Sequence, residues 1–380
     1  MNLSQQPLNK KMTSKSVQIY KVAKECLTRN IPFAVCCMPG DDPDADCRLY
    51  AEALSVDLSI DPSCFDSFPG FVFNYFGLDN KIKAFGLREV DDINQFSEFV
   101  ASCHDNKETD AQIMPQYRTS TDRDEYIHGL NGVIQDLKSD AEKTVISRIL
   151  NVKSEKDPID VARTYFDIHP ACFRYVMFTP ETGIWLASTP ELLVDYDKQS
   201  KILHTMSLAG TRNYDESGEW DQKNILEHNI VTDYICDILS GLGMKVEIPV
   251  QTTVSFKNIE HLCHKITAYG EIQLSELLPH LSPTPALCGW PREHAYKQII
   301  ASERHERRCY GGFIGVNSPE GARLFVNLRC AYAEPEPAES SYRYTLFGGG
   351  GITRHSDPDL EWTETENKMK SLYNIIKSNN

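Results

Sequence analysis

Four glycines and a helix start follow one another near the C-terminus, in the stretch Gly348-Gly-Gly-Gly-Ile-Thr-Arg-His-Ser-Asp-Pro-Asp-Leu-Glu-Trp-Thr-Glu-Thr-Glu-Asn-Lys368. Glycines allow the backbone to come close to a ligand and leave its N–H groups uncovered. Ser356 and Asp357 offer capping side chains directly before Pro358, and proline is favoured at the first helical position. The stretch therefore predicts a ligand-facing glycine run that leads into a helix.

The predicted helix carries charged residues on the face that should be buried. Glu361, Glu364 and Lys368 are spaced i, i+3 and i+7, and the same face continues through Leu372 and Ile375. Two carboxylates and an ammonium are costly to desolvate unless they meet a metal, a charged ligand or each other. The alternative is a solvated face with a Glu364–Lys368 pair. The helix alone leaves both interpretations open. The adjoining glycine run favours a site for a metal or a charged ligand.

A second helix, predicted for residues 219–239, repeats this arrangement. Glu227 shares an otherwise apolar face with Val231 and Tyr234, although a surface pair of Lys223 with Glu227 would also explain it. Two helices that each direct a glutamate inward suggest a hard divalent cation. Mg²⁺ is the natural choice because it accepts a few carboxylate oxygens and keeps waters or substrate oxygens as its other ligands.

The middle of the chain is typical of antiparallel strands joined by hairpins. Lys143 begins the first of these strands and is either an edge residue or a desolvated amine that can act as a base. Glu191 lies at a turn and either points into the sheet or caps an edge. Leu208-Ala-Gly-Thr-Arg212 forms a small-residue turn suited to an anion. The predicted strands are residues 143–148, 173–178, 184–188, 191–196 and 201–206.

Composition limits the kinds of partner. A net charge of −15 argues against nucleic acid and anionic membranes, but it permits an anionic small substrate in a site with local cations. The longest apolar runs are far shorter than a membrane span. Twelve cysteines with no C-x-x-C pair and no secretory signal predict reduced thiols in a cytoplasmic protein. We expect a monomer or a homodimer.

An ordered set of motifs resembles the chorismate-utilising enzymes, the family of isochorismate, salicylate and anthranilate synthases. The resemblance implies an α+β fold in which large antiparallel sheets enclose the active site and helices lie outside. It covers residues 120–376. The motifs are Leu208-Ala-Gly-Thr-Arg212, Glu227-His228, His261-Leu262, Pro283-Thr-Pro-Ala-Leu-Cys-Gly-Trp-Pro291, Tyr310-Gly-Gly-Phe-Ile-Gly315, Val326-Asn-Leu-Arg329, Gly349-Gly-Gly-Ile352 and Glu361-Trp-Thr-Glu-Thr-Glu-Asn-Lys368.

The resemblance implies a role for each matching residue. Lys143 matches the lysine that activates water, and Glu191 the acid that protonates the departing hydroxyl. Glu227 and Glu364, with Glu361 close by, are similar to the Mg²⁺ ligands. The groups that resemble substrate-binding residues are Gly210, Thr211, His261, Tyr310, Arg329, Gly349, Gly350, Gly351 and Lys368.

The same resemblance implies conversion of chorismate to isochorismate, in a pathway to menaquinone or a siderophore. Lys143 is expected in a water-adding member, whereas ammonia-using members have a non-basic residue there. Ala209 argues against aminodeoxychorismate synthase, which carries a lysine at that turn, and Ala286-Leu287 favours isochorismate over salicylate formation. Salicylate synthase, anthranilate synthase component I and a catalytically silent chorismate-binding module remain alternatives.

Two departures from the family pattern accompany the resemblance. Ser282 stands where the family often has a histidine, and Gly348 and Gly350 stand where alanines are usual.

The expected domain organisation has three parts. Residues 1–15 are a flexible N-terminus, residues 16–120 the N-terminal part of the α+β unit, and residues 121–380 the chorismate-binding catalytic region. Further predicted elements are helices at residues 16–29 and from Asp122, and strands at residues 33–38, 71–76 and 81–86.

Overall fold

Two antiparallel sheets form the frame of the molecule in the computed structural model, which describes residues 14–53, 57–103, 119–140, 142–214, 218–256, 259–336 and 339–378. The strands are β1 Phe33–Cys37, β2 Arg48–Ala51, β3 Ser59–Ile60, β4 Gly70–Phe73, β5 Ala84–Glu89, β6 Lys143–Ser154, β7 Phe173–Thr179, β8 Gly183–Thr189, β9 Leu192–Asp197, β10 Ile202–Asn213, β11 Lys245–Glu247, β12 Thr252–Phe256, β13 Ile259–Tyr269, β14 Gly289–Trp290, β15 Phe313–Ser318, β16 Gly321–Val326, β17 Cys330–Glu336 and β18 Ser341–Ile352.

Helices connect the strands. They are α1 Ser14–Thr28, α2 Ile93–Ser102, α3 Arg123–Asp136, α4 Pro158–Ile168, α5 Gln222–Gly241, α6 Leu274–Leu281, α7 Arg292–Ser302 and α8 Pro358–Lys377. None of the described helices is long and apolar enough to cross a membrane.

The first sheet runs in the order β2–β1–β7–β8–β17–β18–β6–β14. The second runs β12–β13–β10–β9–β16–β15–β4–β5–β3, with β11 also paired to β13. Strand β5 also pairs with β2 and so joins the two sheets. The predicted α+β fold with large antiparallel sheets is confirmed.

The chain crosses from one sheet to the other at two points that matter for function. Pro190 and Glu191 lie between β8 of the first sheet and β9 of the second, and Arg329 lies between β16 and β17. The two crossovers are neighbours, because Val326 N donates to Glu191 O at 2.9 Å. Side chains at these crossovers can therefore reach the space between the sheets.

The helices begin where their capping residues predict. Asp122 accepts hydrogen bonds from the backbone N–H groups at the start of α3, and Asp357 does the same for α8, with Pro358 at the first position. The strand prediction at residues 81–86 was displaced, because the strand is Ala84–Glu89. Alternation in a short apolar run does not fix where pairing starts, which depends on the partner strands.

The N-terminal residues are built into both sheets. Strand β1 lies between β2 and β7, and β4 lies between β15 and β5. The predicted flexible residues 1–13 lie outside the described residues, whereas Ser14 already begins α1.

The prediction that all cysteines are reduced was wrong for Cys37 and Cys47, which form a disulfide. In the β1–β2 hairpin, Cys36 is opposite Arg48, which brings the neighbouring Cys37 and Cys47 side by side. Sequence spacing misled here because strand pairing, not a C-x-x-C motif, joins the two residues. The other ten cysteines are free.

Candidate active site

A cavity lies between the two sheets. It brings together most of the residues that the sequence singled out, from elements far apart in the chain. The predicted site residues that line it are Lys143, Glu191, Gly210, Thr211, Glu227, His261, Tyr310, Arg329, Gly349, Gly351 and Lys368.

Lys143 opens β6 and is buried, with 1% of its side chain exposed, so its interpretation as an edge residue was wrong. Its Nζ lies 2.9 Å from Glu227 Oε1, and Glu227 projects from α5. Burial raises the pKa of Glu227, but Lys143 and Lys223 outweigh that effect, so the pKa is lowered. Glu227 is therefore an ionised carboxylate at neutral pH.

Glu191 is the second buried acid of the cavity, and it lies at the crossover between β8 and β9. Burial raises the pKa of Glu191 to about 8, although Lys143, Lys368 and Arg329 each lower it. The Glu191 carboxyl is consequently protonated at neutral pH and can donate a proton.

His261 on β13 is held as a neutral ring. Its Nδ1 donates to Gly210 O at 3.0 Å, and its Nε2 accepts from Arg329 Nη2 at 3.3 Å. Burial, reinforced by Arg329 and Lys368, lowers the pKa of His261 to about 3. Gly210 sits at a register shift in β10 with φ +73°, a conformation that glycine adopts readily.

The glycine run is the end of β18, and its residues face alternate sides. A Cβ on Gly351 would lie 2.2 Å from Glu227 Oε1, and one on Gly349 would lie 2.7 Å from the Tyr310 hydroxyl. Gly350 faces Glu361 of α8 instead, and it is not among the residues that line the cavity. Alternation along a strand thus separates Gly350 from its two neighbours.

Lys368 of α8 reaches the cavity across the glycine strand. Its Nζ donates to Gly349 O at 2.8 Å and lies 2.6 Å from Glu364 Oε1. Burial raises the pKa of Glu364, but Lys368 and Lys223 outweigh it and lower the pKa.

Glu361 and Glu364 line a second cavity, which shares Thr211 with the first. Lys223 bridges the two cavities, because its Nζ is 2.7 Å from Glu361 Oε1 and 3.9 Å from Glu227 Oε2. Burial and Glu364 raise the pKa of Glu361 against the effect of Lys223. Within the ranges that the structure describes, no three acidic, histidine or cysteine side chains meet at metal-coordinating spacing.

Sequence reasoning missed the roles of Lys223 and Asn224 in organising the site. Lys223 was considered only as a surface partner of Glu227, yet its closest contact is Glu361, which is far away in sequence. Asn224 Oδ1 accepts from Thr211 N at 2.9 Å and so fixes the small-residue turn. Their position one turn before Glu227 on the same helix was the feature of the sequence that could have indicated these roles.

A family model described as a chorismate binding enzyme matches residues 79–377, which is most of the chain. The chain belongs to the chorismate-binding enzyme family. The resemblance that the motifs carried is thereby confirmed, and the match extends further toward the N-terminus than the motifs do.

Relatives in the chorismate-binding enzyme family include an isochorismate synthase, MenF, of Pasteurella multocida (strain Pm70). It is 29% identical over 220 residues, which are 55% of this chain and 50% of that protein. The chain spans about half the length of the curated relatives that it matches first.

Two solved structures of the family show the same fold. The menaquinone-specific isochorismate synthase MenF of Escherichia coli matches with a TM-score of 0.71 and 22% identity, over 98% of this chain and 93% of that chain. Anthranilate synthase component I of Streptococcus pneumoniae TIGR4 matches with a TM-score of 0.61 and 16% identity, over 90% and 89% of the two chains.

Proposed function

We propose that this protein is an isochorismate synthase, an isomerase that adds water at C2 of chorismate and removes the C4 hydroxyl. The observation that carries the proposal is that one cavity is lined by a buried amine, Lys143, and a protonated acid, Glu191. These are the two groups that such an exchange of hydroxyl groups requires. Membership in the chorismate-binding family and the similarity to several isochorismate synthases support it.

The charge of the cavity suits a dicarboxylate substrate. Lys143, Lys368 and Arg329 are cationic, whereas Glu227 is the ionised carboxylate and Glu191 is neutral at pH 7. The cavity is therefore locally positive inside a chain of net charge −15. We assign substrate binding to Lys368, Arg329, Gly210, Thr211, His261, Tyr310, Gly349 and Gly351. Gly350, which faces Glu361, would contribute only through its backbone.

Mg²⁺ is the proposed cofactor, with Glu227, Glu361 and Glu364 as its ligands. These carboxylates contact Lys143, Lys223 and Lys368 in this structure, so the ion would have to replace such contacts. Carboxylate oxygens are the hard donors that this ion prefers. Glu361 Oε2 is buried and has no hydrogen-bond partner, so it has an acceptor position to offer. When bound, the ion would draw electron density from the substrate through its ring carboxylate.

The proposed steps require opposite protonation states of two residues. Lys143, which is paired with the Glu227 carboxylate, must first release a proton to become the free amine. The amine then accepts a proton from the water that attacks C2, and Glu191 donates its proton to the C4 hydroxyl as the C–O bond breaks. One water enters and one leaves, so the product is an isomer of the substrate. The proton gained by Lys143 and the one lost by Glu191 must be exchanged before the next turnover.

One position in the small-residue turn supports this choice within the family. Ala209 lines the cavity where, on the resemblance, aminodeoxychorismate synthases carry a lysine. We further propose a monomer or homodimer that works in the cytoplasm and supplies menaquinone or siderophore synthesis, with residues 121–380 as the catalytic region.

Product analysis tests the proposal. The protein is incubated with chorismate and Mg²⁺, with and without EDTA, and the products are separated by chromatography. We expect isochorismate that disappears with EDTA, and none from Lys143→Ala or Glu191→Gln, although both variants still bind chorismate. Salicylate would indicate pyruvate elimination, and an ammonium-dependent fluorescent product would indicate anthranilate. Chorismate binding without any product would contradict an enzymatic role.

A further inference from the structure

A buried ion pair between Glu303 and Arg307 lies behind the wall of the cavity. Glu303 follows directly after α7, and the side chains of the pair are 2% and 3% exposed, respectively. Arg307 Nη2 donates to Glu303 Oε1 at 2.6 Å, and Nε donates to Oε2 at 2.9 Å. Burial raises the pKa of Glu303, but Arg307 and His305 outweigh it and lower the pKa. The pair is therefore charged at neutral pH.

The ion pair binds one edge of β6, the strand that begins with Lys143. Strand β18 covers the other edge, and β14 pairs with Lys143 and Thr144. Past β14, Arg307 Nη2 donates to Val145 O at 2.6 Å, and Ser147 N donates to Glu303 Oε1 at 2.6 Å. Backbone groups at a buried strand edge need partners. The ion pair thus takes the place of a neighbouring strand.

The same guanidinium also holds a second part of the cavity wall. Arg307 Nη1 donates to Leu287 O at 2.6 Å. Val145 and Leu287 both line the cavity, and Val145 follows Lys143 by two residues on β6. The Arg307 guanidinium lies 4.4 Å from the ring centre of Phe76, which limits its movement. One side chain therefore fixes the Lys143 strand relative to the Leu287 turn.

We propose that Glu303 and Arg307 are positioning residues that set the place of Lys143 in the cavity, an inference that rests on the proposed function. A buried ion pair is often no more stabilising than apolar side chains of the same volume. Its advantage is direction, because a guanidinium donates along fixed lines to several acceptors at once. Here those acceptors are Glu303 and the carbonyls of Val145 and Leu287, two residues that line the cavity.

Arg307→Lys tests the proposal, since it keeps the charge and removes the fork of donors. We expect kcat for isochorismate formation to fall about tenfold or more, because small misplacements of a catalytic group are costly. KM should stay within about twofold, since the side-chain ion pair does not hold Arg329 or Lys368.

Arg174→Lys is the matched control. Arg174 is also fully buried, and it donates to the carbonyls of Cys172, Phe166, Met38 and Asp41, none of which lines the cavity. This variant should lose stability to a similar extent and keep kcat near the wild-type value.

A second variant distinguishes the loss of positioning from unfolding of the protein. Glu303→Leu/Arg307→Met replaces the charges by apolar groups, and we expect it to fold, as judged by circular dichroism, with the same selective loss of kcat. Equal losses of kcat in the Arg307 and Arg174 variants, or a change in KM alone, would overturn the proposal.

A wild-type protein that forms no isochorismate would refute the proposed function rather than this inference. The inference is then decided by hydrogen exchange of the Ser147 amide, which donates to Glu303. Faster exchange in Arg307→Lys and not in Arg174→Lys supports it, and unchanged exchange overturns it.

Discussion

Glu191 combines two properties at the scale of a single residue, a position at the crossover between the sheets and a pKa raised by burial to about 8. A general acid must be protonated to act, and kcat/KM reports the protonation of the free enzyme. We therefore expect kcat/KM to fall as pH rises through about 8, approaching tenfold per pH unit. Initial rates of isochorismate formation from pH 6.5 to 10 measure this, and a flat profile above pH 8 would argue against Glu191 as the acid.

The same raised pKa makes a prediction about stability. A glutamate with an ordinary pKa of 4.5 unfolded and about 8 folded stabilises the fold fully below pH 4.5, and this contribution is lost as pH rises to 8. Glu191→Gln should thus gain stability relative to the wild type over that window, on the order of 4 kcal/mol. Urea unfolding at pH 5 and pH 8 measures it.

The control for the stability prediction is the exposed carboxylate Glu320. Glu320→Gln should differ from the wild type by the same small amount at both pH values. If Glu191→Gln shows the same small change as Glu320→Gln at both pH values, burial does not raise the pKa of Glu191 as described above.

The sequence predicted which side chains belong to the site. It did not predict which groups surround each of them. Lys143 was left open between an edge position and a buried amine, because alternation along a strand gives its face but not the neighbour that covers it. Burial of Lys143 depends on β14 and α5, which come much later in the chain. Glu191 was ambiguous for the same reason.

The glycines at the end of β18 leave the least space between the backbone and the side chains of the site. A Cβ on Gly351 would lie 2.2 Å from Glu227 Oε1 and 2.7 Å from Lys143 Cε, so both charged groups would have to move. We expect Gly351→Ala to lower kcat by about a hundredfold, since the base would be displaced. Steady-state kinetics measure this, together with a melting temperature to show that the fold persists.

Gly132→Ala is the control for that substitution. A Cβ at Gly132 in α3 meets nothing within 4 Å, so alanine should stabilise the helix by about 0.5–1 kcal/mol and leave kcat unchanged. Wild-type kinetics in Gly351→Ala would show that the Glu227–Lys143 pair tolerates the shift and is not finely placed.

Helices were predicted better than the contacts between them. Asp122, Asp357 and Pro358 mark helix starts through local hydrogen bonds, which a sequence reveals. Lys223 and Arg307 each stand four residues from a glutamate, which is the spacing of ordinary surface pairs. Only the folded chain shows that Glu303 and Arg307 are buried behind the cavity, and that Glu227 lines the cavity while Lys223 lies between it and Glu361.

The whole molecule depends on its N-terminal residues. Strands β1 and β4 lie inside the two sheets, and Phe33, Val35 and Phe71 belong to the buried core. A chain that starts at residue 119 would expose the edges of β7 and β15 and lose this core. We expect it to aggregate, as measured by size-exclusion chromatography and circular dichroism.

The opposite result would be equally clear. A monomeric fragment that unfolds cooperatively and binds chorismate would mean that residues 119–380 fold by themselves, and that the first part of the chain is an addition to a complete catalytic unit.

One of the long pairings in the fold, β6 with β18, joins strands separated by roughly 200 residues. During translation at about 5–20 residues per second, β6 leaves the ribosome at least several seconds before its partner exists. Throughout that interval an apolar strand lacks the neighbour that finally covers it. Nascent chains of this protein should therefore be clients of holding chaperones, and catalytic activity should appear only after α8, which carries Lys368, has also been synthesised.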